Sequence, residues 1–262
     1  HRDLHLSLRR QRQMCIRDSP MTDNYDELIV GESIQDLIKN EFLASANMYS
    51  FNVGLTSLVI GANGDYTVKS SEDLYTNNDM LSKLLVSYEE KCKGLKTLIF
   101  NNGINTSLIV YDMFKTAGYD IAHLDNTASK KERARILNWF KVTPGAILTS
   151  VSILTTGFDE PTVESIILNR ATKSLTLYYQ MIGRGSRILK NKSHFNVIDL
   201  GNNFHRFGEW GIDLDWQRIF KSPNCLLYTS DAADEGIAVD LGGRRIIKKK
   251  TGGGGGRGGA GG

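Results

Sequence analysis

Two spacings of apolar residues alternate along the middle of the chain and predict its secondary structure. Short, nearly continuous apolar runs have the length of buried β-strands. They occupy residues 95–100, 119–124, 146–150, 163–168 and 195–200. Between them, apolar residues recur every three or four positions, as on one face of an α-helix, over residues 81–88, 108–115, 129–140 and 174–182. This alternation predicts an α/β fold with a parallel sheet and helices on both faces.

Residues that begin or end helices support these boundaries. Ser129 and Glu132 have the spacing of a capping box at the start of one helical segment, and Pro144 follows its end. Gly94 and Gly118 each follow another helical stretch. Because crossovers between parallel strands are right-handed, the carboxyl ends of all the strands are expected at one edge of the sheet.

The two ends of the chain do not continue this pattern. One DNA string that encodes residues 9–19 also encodes residues 225–234 when its complementary strand is read, and a second, shorter pair behaves in the same way. Such nested inverted repeats resemble translated transposon-end and sequencing-adapter DNA. Residues 1–19 and 225–262 are therefore expected to be disordered and are excluded from the fold prediction. A basic arm and a flexible glycine-rich tail are the alternative interpretation.

Excluding these flanks changes the sign of the net charge. The whole chain has a formal charge of +3, whereas residues 20–224 contain 21 basic and 23 acidic side chains, a net charge of −2. A basic pI therefore gives no argument for nucleic-acid binding. Cys92 is the one cysteine left in this range, which supports neither a disulfide framework nor a zinc site and favours a reducing, cytoplasmic compartment. No apolar run is long enough to cross a membrane.

Polar loops follow four of the predicted strands, at residues 101–107, 123–129, 150–161 and 169–174. Each loop is rich in Asn, Ser, Thr or Gly, whose short side chains and backbone amides can bind phosphates without reading a base sequence. Ligands of open α/β sheets bind at this edge, so the four loops together favour a surface for a nucleic-acid backbone. Any one loop by itself is more typical of a turn or a helix cap.

The strongest chemical signal is YYQMIGRGSR at residues 178–187. On a helix, Gln180, Arg184 and Arg187 would project from one face at steps of four and three residues. Guanidinium groups match phosphate oxygens in charge and geometry, although a solvated basic face would have the same residues. Gly157 and Asp159 lie in a loop that is expected at the same edge of the sheet, which favours a phosphate site.

Three segments together resemble a known family. TLIFNNGINTS (97–107), ILTSVSILTTGFDEP (147–161) and YYQMIGRGSR resemble motifs IV, V and VI of superfamily 2 DEAD/DEAH-box helicases, in the order and spacing of the second RecA-like lobe. The resemblance covers about residues 76–205 and is closer to the bacterial DNA-repair and restriction-type branch than to DEAD-box RNA helicases. Residues 33–44 similarly resemble the segment that leads out of the first lobe.

The resemblance implies a role for each matching residue. Arg187 would be an arginine finger that reaches the γ-phosphate of ATP, and Arg184 a second phosphate contact. Gln180 would couple the nucleotide and nucleic-acid sites. Gly157 would allow close backbone approach to the nucleotide, and Asp159 would accept a ribose hydroxyl or order the finger. The residues that would face the sugar–phosphate backbone of a bound strand are Asn101, Asn102, Gly103, His123, Asp125, Asn126, Ser150 and Val151.

The same resemblance implies ATP and Mg²⁺ as cofactors, both held mainly by a first lobe. Residues 20–224 contain neither a G-x-x-x-x-G-K-[ST] phosphate-binding loop nor a D-E-x-[DH] magnesium motif. The chain alone is therefore expected neither to hydrolyse ATP nor to unwind duplexes. The implied partners are nucleic acid, with DNA favoured over RNA, and the first lobe of the same protein. Neither a membrane nor a metal site within this chain is expected.

These observations divide the chain into three parts between the flanks. Residues 20–75 are the end of a first lobe with the interlobe linker, residues 76–205 the second RecA-like lobe, and residues 206–224 a C-terminal extension. The aromatic stretch 205–217 is expected to dock against the lobe rather than to stack on bases. Two other functions stay open: a non-catalytic nucleic-acid-binding RecA-like module, and an unrelated α/β enzyme that binds a nucleotide or sugar phosphate.

Overall fold

The computed structural model of the chain describes residues 26–151, 154 and 158–221. These residues form a six-stranded sheet in which every neighbouring pair of strands is parallel. The strands are β1 (Ser45–Ser50), β2 (Thr97–Asn101), β3 (Ile121–Leu124), β4 (Ile147–Val151), β5 (Ser165–Asn169) and β6 (His194–Asp199). The helices are α1 (Ile34–Lys39), α2 (Val68–Tyr75), α3 (Asn78–Lys91), α4 (Ile104–Thr116), α5 (Lys130–Val142), α6 (Leu175–Ile182), α7 (Asn203–Phe207) and α8 (Trp216–Lys221).

The strand order across the sheet is β1-β6-β5-β2-β4-β3. From β2 the chain moves outward to β3, returns to β4 between them, and then crosses to β5 on the other side of β2. The direction of the connections therefore reverses at β2, whose carboxyl end is flanked by those of β4 and β5. Ligands of open α/β sheets bind at such a point.

The five strands predicted from apolar runs are confirmed to within two residues at each end. The edge strand β1 was not predicted, because its sequence SANMYS is polar at most positions. It pairs with β6 from Ser45 opposite His194 onward, and Asn47 Nδ2 donates to Asn196 Oδ1 at 3.1 Å. β1 lies within residues 20–75, whose assignment to the end of a first lobe and a linker stays a prediction.

The two faces of the sheet bury separate apolar cores. Leu98 and Phe100 of β2 face a core that includes residues of α5 and α6, whereas Ile99 between them faces a core built with α2, α3 and α4. All residues of β2 and β5 are buried, as expected for central parallel strands covered on both sides. The predicted α/β fold, with a parallel sheet and helices on both faces, is confirmed.

Local signals in the sequence set the helix ends as predicted. Ser129 is the N-cap of α5, and its side chain accepts a hydrogen bond from the amide of Glu132 at 3.2 Å. Gly118 follows α4 with φ of +87°, a left-handed conformation that favours glycine over other residues. No helix in the described part of the chain combines the length and the apolar character needed to cross a bilayer.

The aromatic stretch after β6 docks against the lobe, as predicted. Phe207, Trp210 and Leu214 are buried in the core that contains α6. The ring of Tyr179, on α6, lies 5.5 Å from the ring of Trp210 and 6.0 Å from that of Trp216. The C-terminal extension therefore supports the helix that begins the QxxGRxxR motif.

Candidate functional site

A chain of hydrogen-bonded polar side chains crosses the carboxyl edge of the sheet, and we call it the carboxyl-edge network. Its members are Asn169, Asn101, Thr149, Ser107, His123 and Asp125. Asn169 Nδ2 donates to Asn101 Oδ1, and Asn101 Nδ2 donates to Thr149 Oγ1, both at 2.8 Å. Ser107 Oγ lies 2.9 Å from both Thr149 Oγ1 and His123 Nδ1. The last contact, between His123 Nε2 and Asp125 Oδ2, is 3.1 Å long.

Asp125 ends this network as an acceptor. Because a carboxylate only accepts hydrogen bonds, His123 donates to it from Nε2. Asp125 also accepts from the amide of Thr127 at 2.8 Å and from its hydroxyl at 2.7 Å. Burial by itself would raise the pKa of Asp125, but the hydrogen bonds from Thr127 and His123 outweigh burial and lower this pKa.

Two residues that were predicted to face a nucleic acid lie beneath the surface instead. Asn101 and Ser150 both have 0% exposure. They are the last and the second-to-last residues of β2 and β4, in the middle of the sheet, where helices cover both faces. Neighbouring strands and helices enclose these two residues, and their contact with a nucleic acid stays a prediction. Asn101 instead links β2 to both of its neighbouring strands through Thr149 and Asn169.

Two further predicted contact residues lie at the start of α4. Asn102 is half-buried, and its Nδ2 donates to Ser71 Oγ at 2.7 Å. Gly103 is the N-cap of α4 and is buried beneath Glu72, whose carboxylate would clash with any β-carbon at this position. Whether these residues contact a nucleic acid stays a prediction.

The remaining predicted contact residues differ in exposure. Asn126 is exposed, Val151 is half-buried, and Asp125 is buried. The side chain of His123 is 15% exposed. At this edge, Asn126 is therefore the side chain most accessible to a ligand among these four.

A second buried polar cluster joins the loop after β1 to the carboxyl ends of β5 and β6. Asp65 Oδ2 accepts from Thr172 Oγ1 at 2.7 Å and lies 3.8 Å from Arg170 Nη2. Asn203 accepts from the amide of Thr172 at 2.9 Å and donates to Asp199 Oδ1 at 2.8 Å. Burial raises the pKa of Asp199, although backbone amides that donate to it act in the opposite direction. Sequence reasoning missed this cluster, because no local pattern joins residues so far apart in the chain.

The arginines of the QxxGRxxR motif lie at the opposite edge of the sheet. We call residues 183–187 the arginine turn. It follows the end of α6 at Ile182, and the amides of Arg184 and Gly185 make short-range bonds back to α6 at 3.2 and 2.9 Å. The carbonyl of Ser186 accepts from the amide of Ala44, immediately before β1, at 2.8 Å.

The predicted placement of these arginines is therefore wrong in two respects. Arg184 and Arg187 are not on a helix, because α6 ends before both of them. They also do not lie at the carboxyl edge, because α6 runs back from that edge to the amino ends of the strands. Both arginines were also predicted to lie close to the segment around residue 159. That proximity requires neither a helix at the arginines nor a position at the carboxyl edge.

Both arginines contact the segment that precedes β5. Arg184 Nη1 donates to the carbonyl oxygen of Phe158, and Arg187 Nε lies 3.1 Å from Asp159 Oδ1. The side chains of Arg187 and Asp159 are 54% and 64% exposed, so an anion can approach the pair. Burial lowers the pKa of Arg184, the positive charge of Arg187 acts in the same direction, and Asp159 opposes both. Arginine nevertheless stays charged in proteins, so two positive charges lie within this turn.

Of the two other residues predicted for the nucleotide site, the structure describes Gln180 but not Gly157. Gln180 is half-buried on α6, about one helical turn before Arg184. Gly157 lies outside the described residues. The roles predicted for both of them stay predictions.

Cys92 has the environment of a packing residue. It is buried, Ser165 Oγ donates to its sulfur at 2.7 Å, and burial raises its pKa to about 11. The thiol is therefore protonated near neutral pH and is a poor nucleophile. Within residues 26–151, 154 and 158–221, no group of three His, Cys, Asp or Glu side chains is arranged to hold a metal ion.

Residues 76–189 match the family described as the helicase conserved C-terminal domain. This range contains β2 to β5, α6 and the arginine turn. Among solved structures, a fragment assigned as the HsdR subunit of a type I restriction enzyme from Vibrio vulnificus YJ016 aligns with a TM-score of 0.52. The alignment covers 86% of this chain and 44% of that chain at 20% identity, so it concerns the fold alone.

Two relatives are similar in sequence over most of the chain. A 51.5 kDa protein of Lactococcus phage (isolate 7-9) is 30% identical over 200 residues, which are 76% of this chain and 44% of the phage protein. A Saccharomyces cerevisiae protein assigned as the ATP-dependent helicase IRC3 is 29% identical over 180 residues, 66% of this chain and 26% of that protein. The chain thus spans less than half the length of these curated relatives.

Proposed function

From the match of residues 76–189 to the helicase conserved C-terminal domain, we propose that the intact protein is an ATP-dependent superfamily 2 helicase or translocase. This chain is its second RecA-like lobe. The observation that supports the proposal most directly is the arginine turn, in which Arg187 pairs with Asp159 on an exposed surface. Two guanidinium groups in one short turn suit the phosphates of a nucleotide that is held by another lobe.

In this proposal the two arginines have different tasks. Arg187, which is exposed, approaches the γ-phosphate when the lobes close, and Asp159 orients its guanidinium. Arg184, which is more buried and bound to the carbonyl of Phe158, adds a second fixed positive charge. Such charges stabilise the negative charge that develops during phosphoryl transfer. ATP supplies the phosphoryl group, and the first lobe holds Mg²⁺ and most of the nucleotide.

The nucleic acid binds at the other edge of the sheet in this proposal. Asn126 is exposed there, and Asn102 lies half-buried before α4. The carboxyl-edge network beneath them holds the ends of the strands at fixed spacing, so the loops present a defined surface to a phosphate backbone. DNA is favoured over RNA in this proposal, because the three motifs resemble the bacterial DNA-repair and restriction-type branch.

The test is Arg187→Ala in the protein that contains both lobes. ATP turnover should fall by roughly 10³-fold or more, while nucleic-acid binding is retained. Arg135→Ala, a change of an exposed arginine on α5, is the matched control and should leave turnover unchanged. The chain without its first lobe should hydrolyse no ATP. Unchanged turnover of the Arg187 variant, in a protein that binds and hydrolyses ATP, would contradict the proposal.

A further inference from the structure

Lys192 is a buried lysine that lies next to the arginine turn. It is 8% exposed, although lysine side chains are rarely buried. The backbone amide of Lys192 donates to the carbonyl of Leu189 at 2.9 Å, in a tight turn that precedes β6. The ammonium group is thereby placed against the backbone of the arginine turn.

The ammonium group binds the two segments that also form the Arg187–Asp159 pair. Lys192 Nζ donates to the carbonyl of Gly185 at 2.7 Å and to the carbonyl of Pro161 at 3.0 Å. Gly185 lies between the two arginines, and Pro161 lies two residues after Asp159. One side chain therefore joins the backbone of the arginine turn to the backbone that holds its acidic partner.

The ring of Phe195 also restricts Gly185. A β-carbon built on Gly185 would lie 2.3 Å from the ring of Phe195, so the turn is packed directly against that ring. Lys192 Nζ lies 6.0 Å from the centre of the same ring. Because the turn contacts both the ring and the ammonium group, its backbone has little freedom to shift.

The buried charge of Lys192 is energetically unfavourable in itself. Burial lowers its pKa from the usual range to about 8, against the opposing effect of the carboxylates of Glu164 and Glu160. An apolar side chain of similar length would avoid this desolvation, but it would leave the carbonyls of Gly185 and Pro161 without the ammonium donor. The need to fill space in the core therefore does not account for a lysine at this buried position.

We propose that Lys192 is a positioning residue, which holds the arginine turn against residues 158–161 so that Arg184 and Arg187 present their guanidinium groups at fixed places. Its effect on catalysis rests on the proposed function. Its effect on the turn does not, because the bonds to Gly185 and Pro161 are made within this chain. Two measurements separate these effects.

The first measurement is amide hydrogen exchange of the chain with Lys192→Met. This side chain has similar length but no donor, so exchange of the amides of residues 183–185 should become at least about tenfold faster, with little change elsewhere. Lys190→Met, an exposed change in the same turn, is the control and should alter nothing. Lys192→Gln, which keeps one shorter donor, should lie between the two. Unchanged exchange at residues 183–185 in the Met and Gln variants overturns the proposal, whatever the activity of the protein.

The second measurement is ATP turnover of the two-lobe protein with the same changes. Lys192→Met should lower kcat by about 10- to 100-fold, because small displacements of catalytic groups are costly, with a much smaller change in KM. A normal kcat despite faster local exchange would overturn the positioning role. If the unchanged two-lobe protein hydrolyses no ATP, the proposed function fails, and the exchange result alone decides whether Lys192 holds the turn.

The pH dependence of stability gives a further signature of this buried ammonium. The pKa of Lys192 in the folded chain is lowered to about 8, below its value in the unfolded chain. Above pH 8, the folded chain loses a proton that the unfolded chain keeps up to about pH 10.4. The free energy of unfolding should therefore rise with pH across this window, relative to Lys192→Met. If the difference in the free energy of unfolding between the two proteins did not change with pH, the ammonium would not be buried as described.

Discussion

The carboxyl-edge network and the arginine turn lie at opposite edges of the same parallel sheet, and their polar side chains have different partners. Asn101 has 0% exposure and binds other side chains of the network. Arg187 is 54% exposed and binds one carboxylate that is itself mostly exposed. Both regions were expected to bind phosphates from the sequence, but the charged side chain of Arg187 is exposed, whereas the carboxylate of the network, Asp125, is buried.

Under the proposed function, the difference separates residues that stabilise the lobe from residues that act on a ligand. A buried polar group that loses its partner costs the folded state free energy, whereas an exposed ion pair contributes little. Changes in the carboxyl-edge network should therefore be detected as lost stability. Changes to the exposed arginine should be detected as lost activity, with stability preserved.

The largest effect on stability is expected for Asn101→Leu. This change removes the donor to Thr149 and the acceptor for Asn169, both buried, so the free energy of unfolding should fall by about 2–4 kcal/mol. Urea denaturation of the chain measures it. Asn126→Leu, at an exposed position of the same edge, is the control and should cost less than about 0.5 kcal/mol. Equal effects of the two changes would show that the buried network stabilises the fold no more than an exposed side chain of the same edge does.

An intermediate effect is expected for Gly185→Ala in the arginine turn. The new β-carbon would meet the ring of Phe195 at 2.3 Å, and this overpacking should lower the free energy of unfolding by about 1–3 kcal/mol. Gly54→Ala, where no atom lies within 4 Å of the new carbon, is the control and should cause no comparable loss. If only Gly185→Ala lowers the free energy of unfolding, the backbone of the turn is rigid although Arg187 is exposed. If Gly185→Ala does not lower it, the turn adapts to the added β-carbon.

The smallest effect is expected for Arg187→Gln. The pair with Asp159 is more than half exposed on both sides, so its loss should change the free energy of unfolding by less than about 0.5 kcal/mol. Thermal or urea denaturation at low and high salt measures it, and the difference from the unchanged chain should stay small at both. A loss comparable to that of Asn101→Leu would place Arg187 among the structural residues instead.

The sequence predicted most of the sheet, because the physical cause of its strands is local. β2 and β5 are apolar runs that are buried on both faces, and such runs are recognisable without knowledge of their neighbours. β1 was missed for the opposite reason. Its polar residues become a strand only through pairing with β6, which is distant in sequence.

The candidate site was predicted less well, because its geometry depends on where helices end and on contacts with backbone atoms. The spacing of Gln180, Arg184 and Arg187 suits a helix, but α6 ends at Ile182 and the last two residues follow it in a turn. Lys192 was missed because its partners are carbonyl groups, which every residue has, so no residue pattern identifies them. The association of Arg187 with Asp159 was suggested by the helicase motifs.

The position of β1 has a consequence for how the chain folds while it is synthesised. β1 precedes the other five strands of this sheet in the chain, yet Asn47 pairs with Asn196, 149 residues later. At a synthesis rate of about 5–20 residues per second, β1 waits about 7–30 s for β6. Until then, the segment that forms β1 lacks its partner strand, and β5 has an open edge on which another chain could pair. A nascent chain that stops before β6 is therefore prone to aggregate, even though every residue of the arginine turn has already been added.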